Sequence, residues 1–493
     1  MELKEIKNIN QRIYELDVNI NRSSKVIFIA TLLFCLTKNK DFQNVDKLTK
    51  LIDFTNEKTK PIDQLIKLAI IEIENLKLNE KTENAVKNSL NTIKGVNTAL
   101  DKDRSKFKDF IQDFITKWFA MIKPSDLFLE TLYMEIDKKA ENSDKGVVLT
   151  PIFAAQLMID LADIDYKKDI IADLCSGTGL FSLLANSKML ECMDADLETK
   201  KITAKEYKEY QNKLYNSIIA NDEEPKMVTL CLANFLSKSL NHNLVYAEDV
   251  LKLEKSFFKI KNNNTEIDIK PTKTILNPPY EDKYKPLEIL EKNISLIKGN
   301  GEGGKAVVII PPQKFGQKKD VFSRILNIAT LEIVIKMQDD LFTDSGKSQP
   351  ASIFVFNVDR EHKKEDKIRY FNFTDTGFVY LKDSGLVDKN NTYEKKKKDL
   401  LKRISKKSTT INKDDFIRDF NNFYEVNMDM EIETTINPSI IATNKEEADI
   451  TLENITIKKM LSEKKELMGK CNNNFIDKDG KFEKYIIDIL SED

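Results

Sequence analysis

The sequence is short of histidine, of paired cysteine, of long apolar runs and of any excess charge. Two histidines, His242 and His362, stand in 493 residues. That is too few for a histidine-based metal centre or a catalytic triad. Five cysteines, Cys35, Cys175, Cys192, Cys231 and Cys471, are scattered without a Cys-x-x-Cys pair. This argues against a zinc site and for a reducing compartment. The longest apolar run, Val26 to Leu36, is too short to span a bilayer, lacks a secretory cleavage pattern and reads as a buried core helix. A cytoplasmic chain without membrane contact is therefore expected. Lys and Arg number 78 against 80 Asp and Glu, a net charge of -2. A chain that grips nucleic acid unaided usually carries a basic excess. Such a grip would here need local patches or a partner.

Hydrophobic residues make up 41% of the chain, enough for a sizeable core, and the length suggests two or three domains. Residues 1–140 read as a helical domain. Pro61 to Leu78 and Lys106 to Ile122 repeat apolar residues at three- and four-residue spacings, and glycine is almost missing. A polar break, Glu141 to Gly146, marks a boundary. Residues 141–360 alternate short β-branched runs with helical segments, the pattern of a mostly parallel α/β sheet with helices on both faces. Seven strands are expected: Ile170–Leu174, Ser217–Ala220, Leu244–Ala247, Thr274–Leu276, Ala306–Ile310, Leu331–Lys336 and Ser352–Asn357. The last two suit an antiparallel closing pair at one edge. Residues 361–493 form a polar, partly helical extension expected to contact a partner or DNA. Its Lys395 to Lys398 run, near Arg403, Lys406 and Lys407, reads as a solvated helix face before it reads as a phosphate-contacting stripe.

Two places carry chemistry. Ile170 to Leu174 runs into Cys175-Ser176-Gly177-Thr178-Gly179 and then a helix from Leu180. Glycines allow a sharp turn and close approach of backbone to a ligand, and the first strand–turn–helix junction of an open α/β sheet lies where ligands bind. The helix N-terminus favours an anionic group there, and Asp173 on the strand can take a ligand's ammonium. The turn lacks the Gly-x-x-x-x-Gly-Lys-Ser/Thr pattern of a triphosphate cradle. Gly299 to Lys305 is glycine-rich as well and reads as a helix-ending turn. An acid that takes ribose hydroxyls should end the next strand. Asp194 lies about 20 residues after Asp173, a compact spacing. Asp222, with Glu223 beside it, follows Ile218-Ile219-Ala220 and precedes a helix opening at Pro225. Asp222 leaves a normal connection to the third strand and is favoured. Asp249, after that third strand, would accept from an adenine amino group of the ligand.

The second place is Asn277-Pro278-Pro279-Tyr280, closing the strand Thr274–Leu276. Two prolines cannot continue a central strand. They fix a rigid extended turn that offers the Asn277 side-chain oxygen and the Pro278 carbonyl as convergent acceptors. Such a pair suits a planar amine with two N–H groups, and Tyr280 offers a flat face for stacking.

The order of these motifs resembles the gamma-type adenine-N6 DNA methyltransferases. Gly146-Val147-Val148-Leu149-Thr150-Pro151 looks like their Thr-Pro segment, ahead of the glycine turn and of Asn-Pro-Pro-Tyr. The helical domain, Gly304 to Phe315 and Leu341-Phe342 to Ser352 further resemble the modification subunit of type I restriction–modification systems. The resemblance implies a class I S-adenosylmethionine-dependent methyltransferase fold. It assigns Val148, Leu149, Thr150, Pro151, Asp173, Ser176, Gly177, Thr178, Gly179, Asp222 and Asp249 to the cofactor S-adenosylmethionine, and Asn277, Pro278, Pro279 and Tyr280 to catalysis. It implies double-stranded DNA with a flipped adenine as substrate, no metal, a separate specificity subunit and a restriction subunit. Residues 361–493 leave little room for a two-part recognition domain, in keeping with that partner. Asp222 stands where the family often has Glu, and Met337-Gln338 where Leu-Pro is frequent. A protein glutamine methyltransferase, which uses the same Asn-Pro-Pro-Tyr turn, is the nearest rival. A non-catalytic assembly subunit with this fold is the other.

Overall fold

The computed structural model describes residues 1–405, apart from 17–21, 57, 95–103, 124–125, 138–148, 263–264, 298–302, 343–349, 364–365, 367 and 382–384. The expected boundary at 141–146, Val148 and the lysines at 406 and 407 lie outside the described residues.

The front of the chain is helical: α1 (Leu3–Leu16), α2 (Arg22–Lys38), α3 (Val45–Leu51), α4 (Pro61–Asn75), α5 (Glu80–Asn91), α6 (Arg104–Asp113) and α7 (Phe128–Asp137). Sequence-encoded caps start several of them. Pro61 opens α4, and the Asn79 side chain accepts from Thr82 N to cap α5. Helix α2 is the Val26 to Leu36 run, and every residue of that run is buried. An all-round apolar helix belongs at the centre of a bundle, and α2 packs against α4, α5 and α7. An aromatic cluster of Phe28, Phe107, Phe110, Phe114 and Trp118 closes the bundle around α6 and the π-helical turn Phe114–Trp118 that continues it. Among the described residues, no helix is long and apolar enough to cross a membrane.

The sheet follows. Its chain order is α8 (Ile152–Ala162), β1 (Ile171–Asp173), α9 (Leu180–Glu198), α10 (Ala204–Leu214), β2 (Ile218–Asn221), α11 (Pro225–Ser237), β3 (Val245–Tyr246), a hairpin of β4 (Lys259–Asn262) and β5 (Thr265–Asp268), then β6 (Lys273–Leu276). After these come α12 (Pro286–Ile297), β7 (Lys305–Ile310), α13 (Gln313–Gln317), α14 (Lys319–Leu326), β8 (Thr330–Met337), β9 (Ser352–Asn357), β10 (Arg369–Phe373), a hairpin of β11 (Phe378–Leu381) and β12 (Gly385–Asp388), and α15 (Tyr393–Ser405). The main sheet has the order β10-β8-β9-β7-β6-β1-β2-β3. Within it β9 runs antiparallel to both neighbours, and the remaining pairs are parallel. The chain steps from β1 outward to β2 and β3, then returns to β6 on the other side of β1. The gap between the carboxyl ends of β1 and β6 is thus the switch point of the sheet.

All seven expected strands form, and an eighth, β10, joins them. The sheet therefore runs past residue 360, into the stretch expected to be a polar extension. Strand β10 is an edge strand paired only with β8, so its mixed Arg-Tyr-Phe-Asn-Phe sequence never shows the apolar run of a central strand. For the same reason the antiparallel pair of β8 and β9 sits inside the edge. The hairpin β11–β12 and α15 fold back on α8: Phe378 stacks on Phe153 with centroids 3.9 Å apart, and the Tyr393 hydroxyl donates to the Phe153 carbonyl. The lysine run divides. Lys396 and Lys397 form ion pairs with Asp375 and Asp160, while Lys395 and Lys398 face solvent.

Helix α11 is the wall shared by the two parts. It packs on α2 and α5 on one side and against β3 on the other. Residues 227–236 of this helix are all buried. At its margin Thr82 Oγ1 donates to the Val245 carbonyl at 3.1 Å, and Lys81 pairs with Glu248 at 2.6 Å. Phe235, fully buried on α11, should report on this wall. Phe235→Ala is expected to cost about 3–5 kcal/mol, read as a lower urea midpoint. An unchanged midpoint would show that the wall does not carry that load.

Candidate active site

The carboxyl end of β1 carries Asp173 into the turn 174–179. Gly177 and Gly179 both have positive φ, +53° and +91°, which only glycine adopts without strain. A Cβ on Gly179 would also meet Cys231 Sγ at 3.0 Å, whereas a Cβ on Gly177 would meet nothing within 4 Å. Space for a ligand thus opens at Gly177. Asp173 is fully buried. Its Oδ2 accepts from Ser182 N at 3.3 Å and Ser182 Oγ at 3.2 Å, while Oδ1 has no hydrogen-bond partner among the described residues. Burial pushes its pKa up to about 8.

Asp222 follows β2 directly and turns back onto the glycines. Its Oδ2 accepts from Gly177 N at 2.8 Å and its Oδ1 from Glu224 N at 2.9 Å. A carboxylate has about four acceptor positions, so these two bonds orient the group and leave capacity for hydroxyls. Burial raises its pKa to about 6, against the two backbone N–H bonds that lower it; the charges of Glu223 and Glu224 add to the rise. Asp194 is elsewhere: it lies on α9 and accepts from the Tyr207 hydroxyl at 2.7 Å. Asp249 follows β3 and caps its own turn, accepting from Leu251 N at 3.0 Å and pairing with Lys252 at 3.0 Å.

Across the switch point, Asn277 ends β6. Its Nδ2 donates to Thr150 Oγ1 at 2.9 Å, and Thr150 is buried just before α8. The amide is thereby oriented with its nitrogen toward Thr150. Pro278 is buried and Pro279 half-buried. Tyr280 is more enclosed than an open stacking platform would be. Its hydroxyl donates to the Ile309 carbonyl at 3.4 Å, and Phe342 meets the ring edge-to-face at 5.7 Å. Beyond the turn, Lys314 Nζ donates to Asp282 Oδ1 at 2.6 Å and ties the exit of the loop to α13. Among the described residues, no group of His, Cys, Asp and Glu is arranged to hold a metal.

A family model described as N-6 DNA Methylase matches residues 130–435, more than half of the chain. The chain belongs to the N-6 DNA Methylase family. Among curated proteins it is similar to the type II restriction enzyme and methyltransferase RM.BcgI of Heyndrickxia coagulans, 28% identical over 269 residues. That match takes in 52% of this chain and 39% of the relative, so the chain spans well under half the relative's length. In fold it is similar to a chain from a complex of the type I R-M system, with a TM-score of 0.56 and 16% identity over 95% of this chain and 98% of that one. A modification subunit of a putative type I restriction enzyme from Vibrio vulnificus scores 0.51 at 15% identity, covering 84% and 91%. The type I methyltransferase subunit from Streptococcus thermophilus scores 0.51 at 13% identity, covering 83% and 93%.

In this N-6 DNA methylase several residues that organise the site gave no motif. Asn221, buried at the end of β2, donates to the carbonyls of Leu174 at 3.3 Å and Glu248 at 3.0 Å and accepts from Glu248 N at 3.0 Å. It holds the ends of β1, β2 and β3 together. Asn234 on α11 donates to the Thr178 carbonyl at 2.8 Å, and Glu130 of α7 accepts from the Thr178 hydroxyl. The polar side chains in otherwise apolar helices were the available signal, because a buried amide or carboxyl must find a partner.

The Asp173 shift has a consequence for stability. The folded chain holds the carboxyl protonated up to about pH 8, whereas the unfolded group ionises near its ordinary 3.8. Its contribution is complete below pH 4 and is lost as pH rises through 8. Asp173→Asn in the absence of cofactor is expected to melt above wild type at pH 8, with the gap closing toward pH 5. Parallel melting curves across that range would show that the group is not protonated in the fold.

Proposed function

We propose that this N-6 DNA methylase transfers a methyl group from S-adenosylmethionine to the N6 amine of an adenine flipped out of double-stranded DNA. We propose further that it works in the cytoplasm as the modification subunit of a restriction–modification complex, beside a separate specificity subunit and a restriction subunit. The observation that carries this reading is the Asn277–Thr150 contact facing the glycine turn across the switch point. It puts an oriented amide acceptor next to a turn built for a close-lying ligand.

The residues fit that cofactor. Asp173 Oδ1 is a buried acceptor without a partner, and a cationic ammonium is the group that would favour its ionised form. Asp222, oriented by Gly177 N, has room for ribose hydroxyls. Ser176, Gly177, Thr178 and Gly179 would line the approach, with Leu149, Thr150 and Pro151 opposite. Asp249 would take the adenine amine of the cofactor once freed from its own turn. When bound, S-adenosylmethionine supplies an electrophilic methyl group on a sulfonium.

Adenine N6 is a poor nucleophile because its lone pair is delocalised into the ring. Asn277 Oδ1 and the Pro278 carbonyl each accept one N–H and draw the nitrogen toward tetrahedral geometry, which localises the lone pair on it. The rigid Pro278-Pro279 turn keeps these two acceptors convergent, and electrostatic preorganisation of this kind needs no movement at the moment of reaction. A flipped base entering beside the turn would meet Tyr280 and Phe342 as its aromatic neighbours. No side-chain base is needed before transfer. The methylated amine is acidic and releases its proton to solvent.

The chain's near-neutral charge supports a partner that carries the DNA grip. Co-expression with the product of the adjacent reading frame, cofactor calorimetry and mapping of methylated adenines test the reading together. Asn277→Ala is expected to bind S-adenosylmethionine within about threefold of wild type and to lose methyl transfer by on the order of 10²-fold or more. Methylation of a glutamine side chain instead of DNA would overturn the substrate. Efficient methylation of one defined site by the purified chain alone would remove the specificity subunit.

A further inference from the structure

One carboxyl in the helical domain is buried where neither the bundle nor the methyl-transfer chemistry needs it. Glu130 on α7 is 1% exposed. Its flanking residues Phe128, Leu129 and Leu132 are buried and apolar, so packing alone would be served by another leucine. Burial raises its pKa to about 8, with no charged neighbour contributing to the shift. An unneeded buried carboxyl is a cost to the fold. Its Oε2 accepts from the hydroxyl of Thr178, in the middle of the glycine turn. Asn234 holds the same residue by its carbonyl, so Thr178 is gripped from two helices at once.

Helix α7 makes a second contact of the same kind. The Tyr133 hydroxyl lies 3.1 Å from Lys226 Nζ, and that ammonium stands 5.4 Å over the Tyr133 ring. Lys226 is in the first turn of α11, directly after the segment that begins with Asp222. One face of α7 therefore touches the glycine turn through Glu130 and the first turn of α11 through Tyr133.

We infer that Glu130 is a positioning residue for the cofactor turn, and that through it the helical domain forms one wall of the cofactor site. The inference rests on the S-adenosylmethionine reading above. The carboxyl fixes the Thr178 hydroxyl and with it the path of the backbone between Gly177 and Gly179. Bundle and sheet must then be docked for the turn to hold its shape.

A double-mutant cycle on the full-length chain tests this, with S-adenosylmethionine as the calorimetric probe. Glu130→Leu and Thr178→Val are each expected to weaken binding about tenfold. The double variant should be little worse than either, because both remove one interaction. Glu130→Gln keeps an amide oxygen that can accept from Thr178 and should return binding to within about threefold of wild type. In turnover, Glu130→Leu should raise KM for the cofactor and leave kcat nearly unchanged. The melting temperature of the double variant should not fall, because it removes the buried carboxyl's desolvation cost without leaving the Thr178 hydroxyl unpartnered. Loss of affinity without loss of stability separates positioning from simple packing. Wild-type affinity in Glu130→Leu, or additive effects in the double variant, would overturn the inference. A wild-type chain that takes up no S-adenosylmethionine in any assembly would bring down the cofactor reading and this one with it.

Discussion

Asp173 sits at the end of β1, inside the sheet, where water does not reach and one carboxyl oxygen finds no partner among the described residues. A group in that state is tolerable only if the surrounding structure is rigid enough to hold it, and the rest of the site serves that end. Strands β2 and β6 flank β1 on both sides. Asn221 joins the ends of β1, β2 and β3. The first turn of α9 reaches back to the carboxyl through Ser182, and Asp222 is held beside it by Gly177 N. Two carboxyls with raised pKa therefore lie around one turn, the pattern expected of a place made to receive a positively charged ligand.

Much of this was legible in the sequence. The central strands announce themselves as short apolar runs because both faces of a parallel sheet are covered. The glycine turn and the Asn277 to Tyr280 turn are legible because their backbone conformations admit few other residues. The choice of Asp222 over Asp194 came from connection length, and the structure places Asp194 on the outer side of a long helix. What was not legible depends on tertiary partners. Edge strand β10 has one neighbour and a mixed composition. The hairpins β4–β5 and β11–β12 bury little. Glu130, Asn221 and Asn234 are single polar residues whose meaning comes only from what they meet. Tyr280 read as an open platform because nothing in its local sequence shows that Phe342 and Ile309 enclose it.

The helical bundle and the sheet share helix α11 as a common layer, and the chain's charge is spread without a dominant sign. Both facts bear on how a protein of this family can act on DNA. A bundle that is packed into the sheet cannot swing freely as a separate clamp. A chain without a basic excess must draw the phosphate contacts that dominate nucleic-acid affinity from local patches or from a partner.

The position of α8 has a consequence for how such a chain can be connected. Although α8 immediately precedes β1, it packs on β6, β7 and β9, and its first turn lies against Phe378 and Tyr393, which follow the last strand of the main sheet. Thr150, at its start, reaches Asn277, and no covalent link to β1 is needed for that contact. The segment could enter the fold after the last strand as well as before the first and still put its hydroxyl on the same amide. A circularly rearranged chain that kept this packing would keep the Thr150–Asn277 contact, which depends on the fold and not on the order of the two segments along the chain.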